Sequence, residues 1–297
     1  MNNPKHLMVT TNTLCNYQCA FCNNPKIEKK GAVTVEKLLE LVDLIEAVEV
    51  IDITGYGEIM LHPKFREIGN LLTSKGKPFT LSTNGSQLSD DMIDYLDGTT
   101  LSLINISVNS LDMGTYKRIT GADIGPILDN LASLFSKKRH YKITISAVMT
   151  AYAIDELLDF IQFAADNKVY KLRLLPMTSS ITDYPADIVL QDTPENRMKL
   201  KDAEDYARFL GVDLQSFSFV PTSAVNDRKQ KCSAPTHQII INANGAITPC
   251  CWLCHVIMGN INEQNWRDIW ECEKYDDLRR SVHAGDLKYC KDCREFG

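Results

Sequence analysis

Between His6 and Leu210, short apolar and β-branched runs alternate with longer stretches whose apolar positions recur every three or four residues. The short runs, His6–Thr11, Val50–Thr54, Pro78–Thr83, Leu103–Val108, Lys142–Val148 and Tyr170–Leu175, read as strands. The longer ones, Val35–Ala47, Lys64–Ser74, Ser89–Leu96, Ile124–Ser136, Ile154–Asn167 and Thr193–Leu210, read as helices. Caps support several starts: Thr34 stands before Val35, Ser89 before Asp90 and Asp91, and Thr193 before Pro194 and Glu195. Parallel strands need a crossover element, so this alternation predicts an α/β chain of about six βα units. A partial (β/α)6 TIM barrel and a doubly wound open sheet give the same linear pattern, and in both the functional loops follow the carboxyl ends of the strands. The polar stretch Thr222–Lys231 marks a boundary, dividing the chain into residues 1–221 and a small domain of residues 222–297. In the latter a hairpin is expected from Gln238–Asn242 and Ala246–Thr248, followed by a helix holding Trp266, Ile269 and Trp270.

Composition narrows the function. The 297 residues are 44% hydrophobic and 24% charged, with a net charge of -6, which excludes the basic footprint of a nucleic-acid or anionic-membrane binder. The densest basic run, Lys137 to His140, reads as a solvated helix end. No segment has the length of a membrane span and the start lacks a signal peptide's apolar stretch, so a cytoplasmic protein is expected. A reducing compartment disfavours disulfides and leaves metal or redox duty for the ten cysteines. Cys15, Cys19 and Cys22 open the chain, and the other seven follow residue 231.

The first three follow the first predicted strand in a C-x3-C-x2-C spacing, with Phe21 before the last. Three thiolates are one short of the four that saturate a [4Fe–4S] cluster and leave one iron open. Zinc wants a fourth ligand, for which His6 and His62 are the nearest candidates, and a redox pair of Cys19 and Cys22 leaves Cys15 unexplained. The segment resembles the signature of the radical S-adenosylmethionine (SAM) superfamily. The resemblance implies a partial barrel, a cluster on Cys15, Cys19 and Cys22 whose open iron chelates SAM, and a flavodoxin- or ferredoxin-type electron donor. Reductive cleavage of the sulfur–C5′ bond then releases a 5′-deoxyadenosyl radical.

Further segments match that family in order. Thr54, Gly55, Tyr56, Gly57 and Glu58 resemble its glycine-rich stretch facing the SAM amino group, with Tyr56 replacing one glycine of the usual pair. Ser82, Thr83, Asn84 and Gly85 resemble its Thr-Asn-Gly turn, and Ser107, Val108, Asn109 and Ser110 a stretch ending in Ser-Leu-Asp, which implies SAM contacts from Ser82, Asn84, Ser107 and Asn109. Arg118 matches an arginine near the SAM carboxylate and equally suits an exposed helix charge.

The tail resembles the SPASM or shorter twitch extension of the same enzymes. That resemblance implies one auxiliary [4Fe–4S] cluster on Cys232, Cys250, Cys290 and Cys293, while a zinc site with four cysteine ligands would use the same spacing. Cys272 reads as apolar filler; Cys251 and Cys254 are substitute ligands or, for one of them, a hydrogen-atom donor.

A first ligand as early as Cys15 leaves little room for a leader-peptide recognition domain. A compact chain with one auxiliary cluster is similar to twitch-type enzymes acting on cyclitols and aminoglycoside sugars, 2-deoxy-scyllo-inosamine dehydrogenase among them. The expected reaction is hydrogen-atom abstraction from a carbinol of a polar small molecule, ending in oxidation or epimerisation. The alternatives are a peptide maturase and a zinc-binding interaction protein. Pro176–Pro185 and Phe217–Pro221 carry no motif, and Arg173, Asp183 and Tyr184 nearby read as polar contacts or ordinary surface residues.

Overall fold

The computed structural model describes residues 3–22, 24, 31–177, 184–219, 232–251 and 253–284. Cys290, Cys293, Asp183 and the Thr222–Lys231 boundary lie outside them. The chain forms two compact units, one of Met1–Leu14, Glu28–Phe79 and Val220–Gly297 and the other of Cys15–Ile27 and Thr80–Phe219.

In the first unit, β1 (His6–Val9) pairs in parallel with β2 (Val50–Ile53) on one side and with β8 (Gln238–Ile241) on the other. β8 continues antiparallel into β9 (Ala246–Thr248), and β9 pairs antiparallel with β10 (Gly259–Asn260), so the expected tail hairpin forms. Leu7, Val9, Ile51, Ile53, Ile239 and Ile241 are buried, as strands covered on both faces require. The helix expected over Val35–Ala47 is two segments, α1 (Val35–Glu40) and α2 (Val42–Ala47). They part at Leu41, whose φ of -99° and ψ of 17° leave the helical well. α3 (Phe65–Ser74) follows, and the tail adds α9 (Ala234–His237), α10 (Trp266–Trp270) and α11 (Glu273–His283).

The second unit carries the strand order β3-β4-β5-β6-β7. β3 is Phe79–Thr83, β4 Leu101–Ser107, β5 Lys142–Met149, β6 Lys171–Pro176 and β7 Leu214–Gln215, and β4 through β7 pair in parallel. The helices between them are α4 (Asp90–Asp97), α5 (Met113–Thr120), α6 (Gly125–Ser136), α7 (Leu157–Asp166) and α8 (Pro194–Leu210). The three expected caps form: Thr34, Ser89 and Thr193 accept from the amides of Lys37, Met92 and Asn196. α5 and β7 have no counterpart among the sequence expectations.

One face of this second sheet is apolar and buried, with Ile104, Ile106, Ile145, Ala147, Leu172 and Leu174. Register puts Asn105, Thr144 and Lys171 in one row on the other face and Ser107, Ser146, Arg173 and Gln215 in the next. That second face is therefore polar, with Thr144 and Ser146 buried, Asn105, Ser107, Lys171 and Arg173 half-buried and Gln215 exposed. No described helix is long and apolar enough to cross a membrane.

Candidate functional site

The cysteine loop belongs to the second unit, where it is fastened to the end of α5. The Gln18 amide donates to the Thr120 carbonyl at 3.1 Å and the Ala20 amide to that of Ile119 at 2.8 Å. The Cys22 amide closes a turn onto the Cys19 carbonyl at 2.9 Å, and Tyr17 meets the buried Tyr116 edge to face. Cys15 is left exposed while Cys19 and Cys22 are half-buried, and Phe21 is half-buried beside them. Burial first, then the charges of Cys22 and Cys15, push the Cys19 thiol up to about 12 in the iron-free chain. Crowded thiols of this kind ionise only when a cation takes the charge, which is the donor set an iron cluster needs. The Asn24 amide donates to Cys22 Sγ at 3.4 Å, the type of sulfur hydrogen bond that tunes cluster potentials.

Around this loop the second unit gathers other expected contacts. Asn84 Nδ2 donates to Asn16 Oδ1 at 2.9 Å, and Asn16 Nδ2 donates to Ser86 Oγ at 3.0 Å, which couples the turn after β3 to the residue following Cys15. Ser82 Oγ accepts from Asn105 Nδ2 at 3.4 Å, and Ser146 Oγ donates to Asn105 Oδ1, so a polar chain crosses three strands. Asn109 is buried and accepts the Val148 amide at 3.0 Å, whereas the hydroxyl of Ser107, at the end of β4, has no hydrogen-bond partner among the described residues. Arg118 lies apart from that chain. It is 59% exposed, donates to Asp187 Oδ2 at 3.0 Å and stacks 3.6 Å above the Tyr152 ring, and the Tyr152 hydroxyl donates to the same carboxylate.

Gly55, Tyr56, Gly57 and Glu58 belong to the first unit, in the turn after β2. Gly55 has φ of +142° and packs so closely that a Cβ would lie 2.4 Å from the Thr10 methyl. Tyr56 is half-buried in the same turn. The Glu58 amide donates to the Leu14 carbonyl at 2.7 Å, and Asn12 Nδ2 donates to the Glu58 carbonyl at 3.2 Å. The Glu58 side chain is buried, and its Oε1 accepts the Met60 amide at 3.2 Å, capping the 3-10 turn Ile59–Leu61. In the tail of this unit Cys232, Cys250 and Cys272 are half-buried, and Cys251 and Cys254 are exposed. Burial raises the Tyr275 phenol, with Cys250 and Cys272 adding to the rise.

Sequence reasoning missed Glu156. Its carboxylate accepts Ser110 Oγ at 2.7 and 2.9 Å and the amides of Leu111 and Asp112 at 2.6 and 3.2 Å, fixing the loop after β4. A glutamate on an amphipathic stretch looks like surface charge, so only the fold reveals the clamp.

A parallel α/β sheet with three cysteines in the loop after its first strand is the arrangement expected of an iron–sulfur enzyme. The chain belongs to the radical SAM superfamily, which it matches over residues 9–164, and residues 232–294 match the SPASM iron–sulfur cluster-binding domain. The fold class is accordingly that of the partial barrel expected above, followed by a small domain of strands and helices. Its cofactors are SAM, the [4Fe–4S] cluster that binds it, and an auxiliary cluster. The AdoMet-dependent heme synthase of Methanosarcina barkeri is 23% identical over 94% of this chain and 87% of its own length. Among solved structures, Streptococcus suis SuiB bound to S-adenosylmethionine superposes with a TM-score of 0.78 at 17% identity, over 94% of this chain and 68% of SuiB. BtrN in complex with AdoMet and 2-DOIA gives 0.53 at 15% identity, over 99% and 93%.

Proposed function

We propose that this enzyme abstracts a hydrogen atom from a polar small molecule, a sugar, cyclitol or aminoglycoside carbinol, and ends in oxidation or epimerisation. When bound, the first cluster supplies the electron that cleaves SAM to the 5′-deoxyadenosyl radical. Cys15, Cys19 and Cys22 hold that cluster, and Asn84 steadies the loop through Asn16. Gly55 and Gly57 give close backbone approach for the SAM amino group beside Tyr56 and Glu58, while Ser82, Ser107 and Asn109 serve its ribose and methionyl groups, and Arg118, on release from Asp187, its carboxylate. Residues 1–221 form the catalytic domain and residues 222–297 the auxiliary one, with Cys232, Cys250, Cys290 and Cys293 as its ligands. Cys251 or Cys254, both exposed, returns a hydrogen atom if the outcome is inversion. The protein works in the cytoplasm with a flavodoxin- or ferredoxin-type reductant.

The observation supporting this reading is the polar face of the second sheet, where Asn105, Thr144, Ser146 and Arg173 stand on adjacent strands in place of apolar side chains. Such a surface offers hydrogen bonds to a hydroxyl-rich substrate. BtrN, solved with 2-DOIA, shares the fold over 99% of this chain. SuiB has also been solved with its precursor peptide SuiA, which keeps peptide modification as the second reading. The deciding experiment incubates anaerobically reconstituted protein with SAM, dithionite and carbon-deuterated cyclitols and amino sugars. Deuterium in 5′-deoxyadenosine is expected; deuterium transfer from no sugar or cyclitol, but from a peptide, would replace this reading with the second. Solvent deuterium in the product, lost when Cys251 or Cys254 is replaced by alanine, would mark epimerisation.

A further inference from the structure

The five arginines of the second unit are not equally engaged. Arg118, Arg197 and Arg208 face the carboxylates of Asp187, Asp192 and Asp205. Arg139 donates to the carbonyls of Leu134 and Lys137 at 2.8 and 2.9 Å. Arg173 differs: its Nε donates to the neutral amide of Gln215 at 3.1 Å, and its terminal nitrogens meet no carboxylate among the described residues. Lys171, one position along the same face of β6, is already held by Asp213 at 3.4 Å.

Arg173 also stands in register. Ser107, Ser146, Arg173 and Gln215 are aligned partners on four successive parallel strands, so their side chains leave the same face of the sheet. Gln215 fixes one edge of the guanidinium, which leaves its bidentate fork for an anion. Ser107 lies two strands away, about 10 Å at ordinary strand spacing, with a hydroxyl lacking a partner among the described residues. The row thus offers neutral hydrogen-bonding groups on β4 and β5 and, on β6, a half-buried cation with no carboxylate partner among the described residues.

We infer that Arg173 is the anion-recognising residue of the substrate surface, and that the substrate is a polyhydroxylated small molecule carrying a carboxylate or phosphate. This rests on the reading of a polar small-molecule substrate and adds an anionic group to it. The guanidinium grips the anion through paired N–H donors.

The test uses ligand-observed NMR titrations of the reconstituted, SAM-loaded full-length protein with glucuronate, glucose 6-phosphate and glucose. At least one acid should bind about tenfold more tightly than glucose, the difference a charge-assisted pair contributes. That preference should vanish in Arg173→Gln and survive in part in Arg173→Lys, with melting curves confirming that both variants fold. The better acid identifies carboxylate or phosphate. Equal binding of all three sugars, no saturable binding of either acid at millimolar concentration, or a preference that persists in Arg173→Gln would each overturn the inference. Deuterium transfer to 5′-deoxyadenosine is scored separately. Arg173-dependent acid binding without transfer from any sugar or cyclitol sinks the reaction reading alone, while transfer from a neutral sugar with no acid preference sinks only this one.

Discussion

A methyl group at Gly57 would lie 2.5 Å from the backbone oxygen of Asn12 and 2.7 Å from that of Leu14, atoms that cannot rotate away. Gly57→Ala therefore forces the turn after β2 off the segment leading to Cys15. The expected cost is about 1–3 kcal/mol, the usual range for overpacking, read as a lower urea midpoint. Cys19 yields a prediction of opposite origin. Its thiol rises from near 9 to about 12 because burial and the neighbouring thiols disfavour the anion. The folded iron-free chain keeps a proton that the unfolded chain releases, so the stabilising contribution is full below pH 9 and is lost as pH climbs toward about 12. Urea titrations of iron-free protein at neutral pH and above pH 9 should show that fall, and Cys19→Ser should flatten it. The cysteine spacing makes this site legible in the sequence alone, because three thiols in one short loop leave few alternatives. The buried cap formed by Glu58 is not legible there, since a glutamate after two glycines gives no sign that its carboxylate turns back to the Met60 amide.

Elements were legible where the apolar period was long. All six expected strands form within a residue or two of their bounds, and α6 and α8 match over nearly their full length. The break at Leu41 was hidden because the apolar pattern continues through it, and β7 is too short to show alternation. The pairing of His6–Val9 with Gln238–Ile241 joins opposite ends of the chain, which no local pattern encodes. A part-buried hydrogen bond reinforces it: Trp266 Nε1 on α10 donates to both carboxylate oxygens of the exposed Asp43 on α2 at 3.0 Å. Asp43→Ala would leave a buried indole N–H without its partner and should cost about 1–3 kcal/mol. Asp43→Asn, which keeps one acceptor, should lose less. Tryptophan fluorescence during urea unfolding measures both, and equal stability of all three proteins would refute the docking role.

The two cysteine sets lie in different compact units, Cys15, Cys19 and Cys22 in one and Cys232 and Cys250 in the other. Removing one ligand from each set in turn tests the two separately. If each set holds a four-iron cluster, removing a ligand from either should lower iron by about four atoms per chain. The functional losses should differ in kind. Cys19→Ala should abolish 5′-deoxyadenosine formation, because the cluster that meets SAM is gone. Cys250→Ala should still cleave SAM, since the first cluster and its donor remain. Under the oxidative outcome it should do so without product, because the route for the second electron is lost. Under epimerisation, product should persist in the presence of dithionite, because the donor cysteine gives up its S–H hydrogen atom to the substrate radical and the thiyl left behind regains an electron from the reductant and a proton from water. The ratio of product to 5′-deoxyadenosine in Cys250→Ala thus separates the two outcomes, provided its iron content shows that only the auxiliary cluster has been removed. A Cys250→Ala protein that loses SAM cleavage while keeping the first cluster's iron would mean that the tail serves the cleavage step itself, against the division of labour argued here.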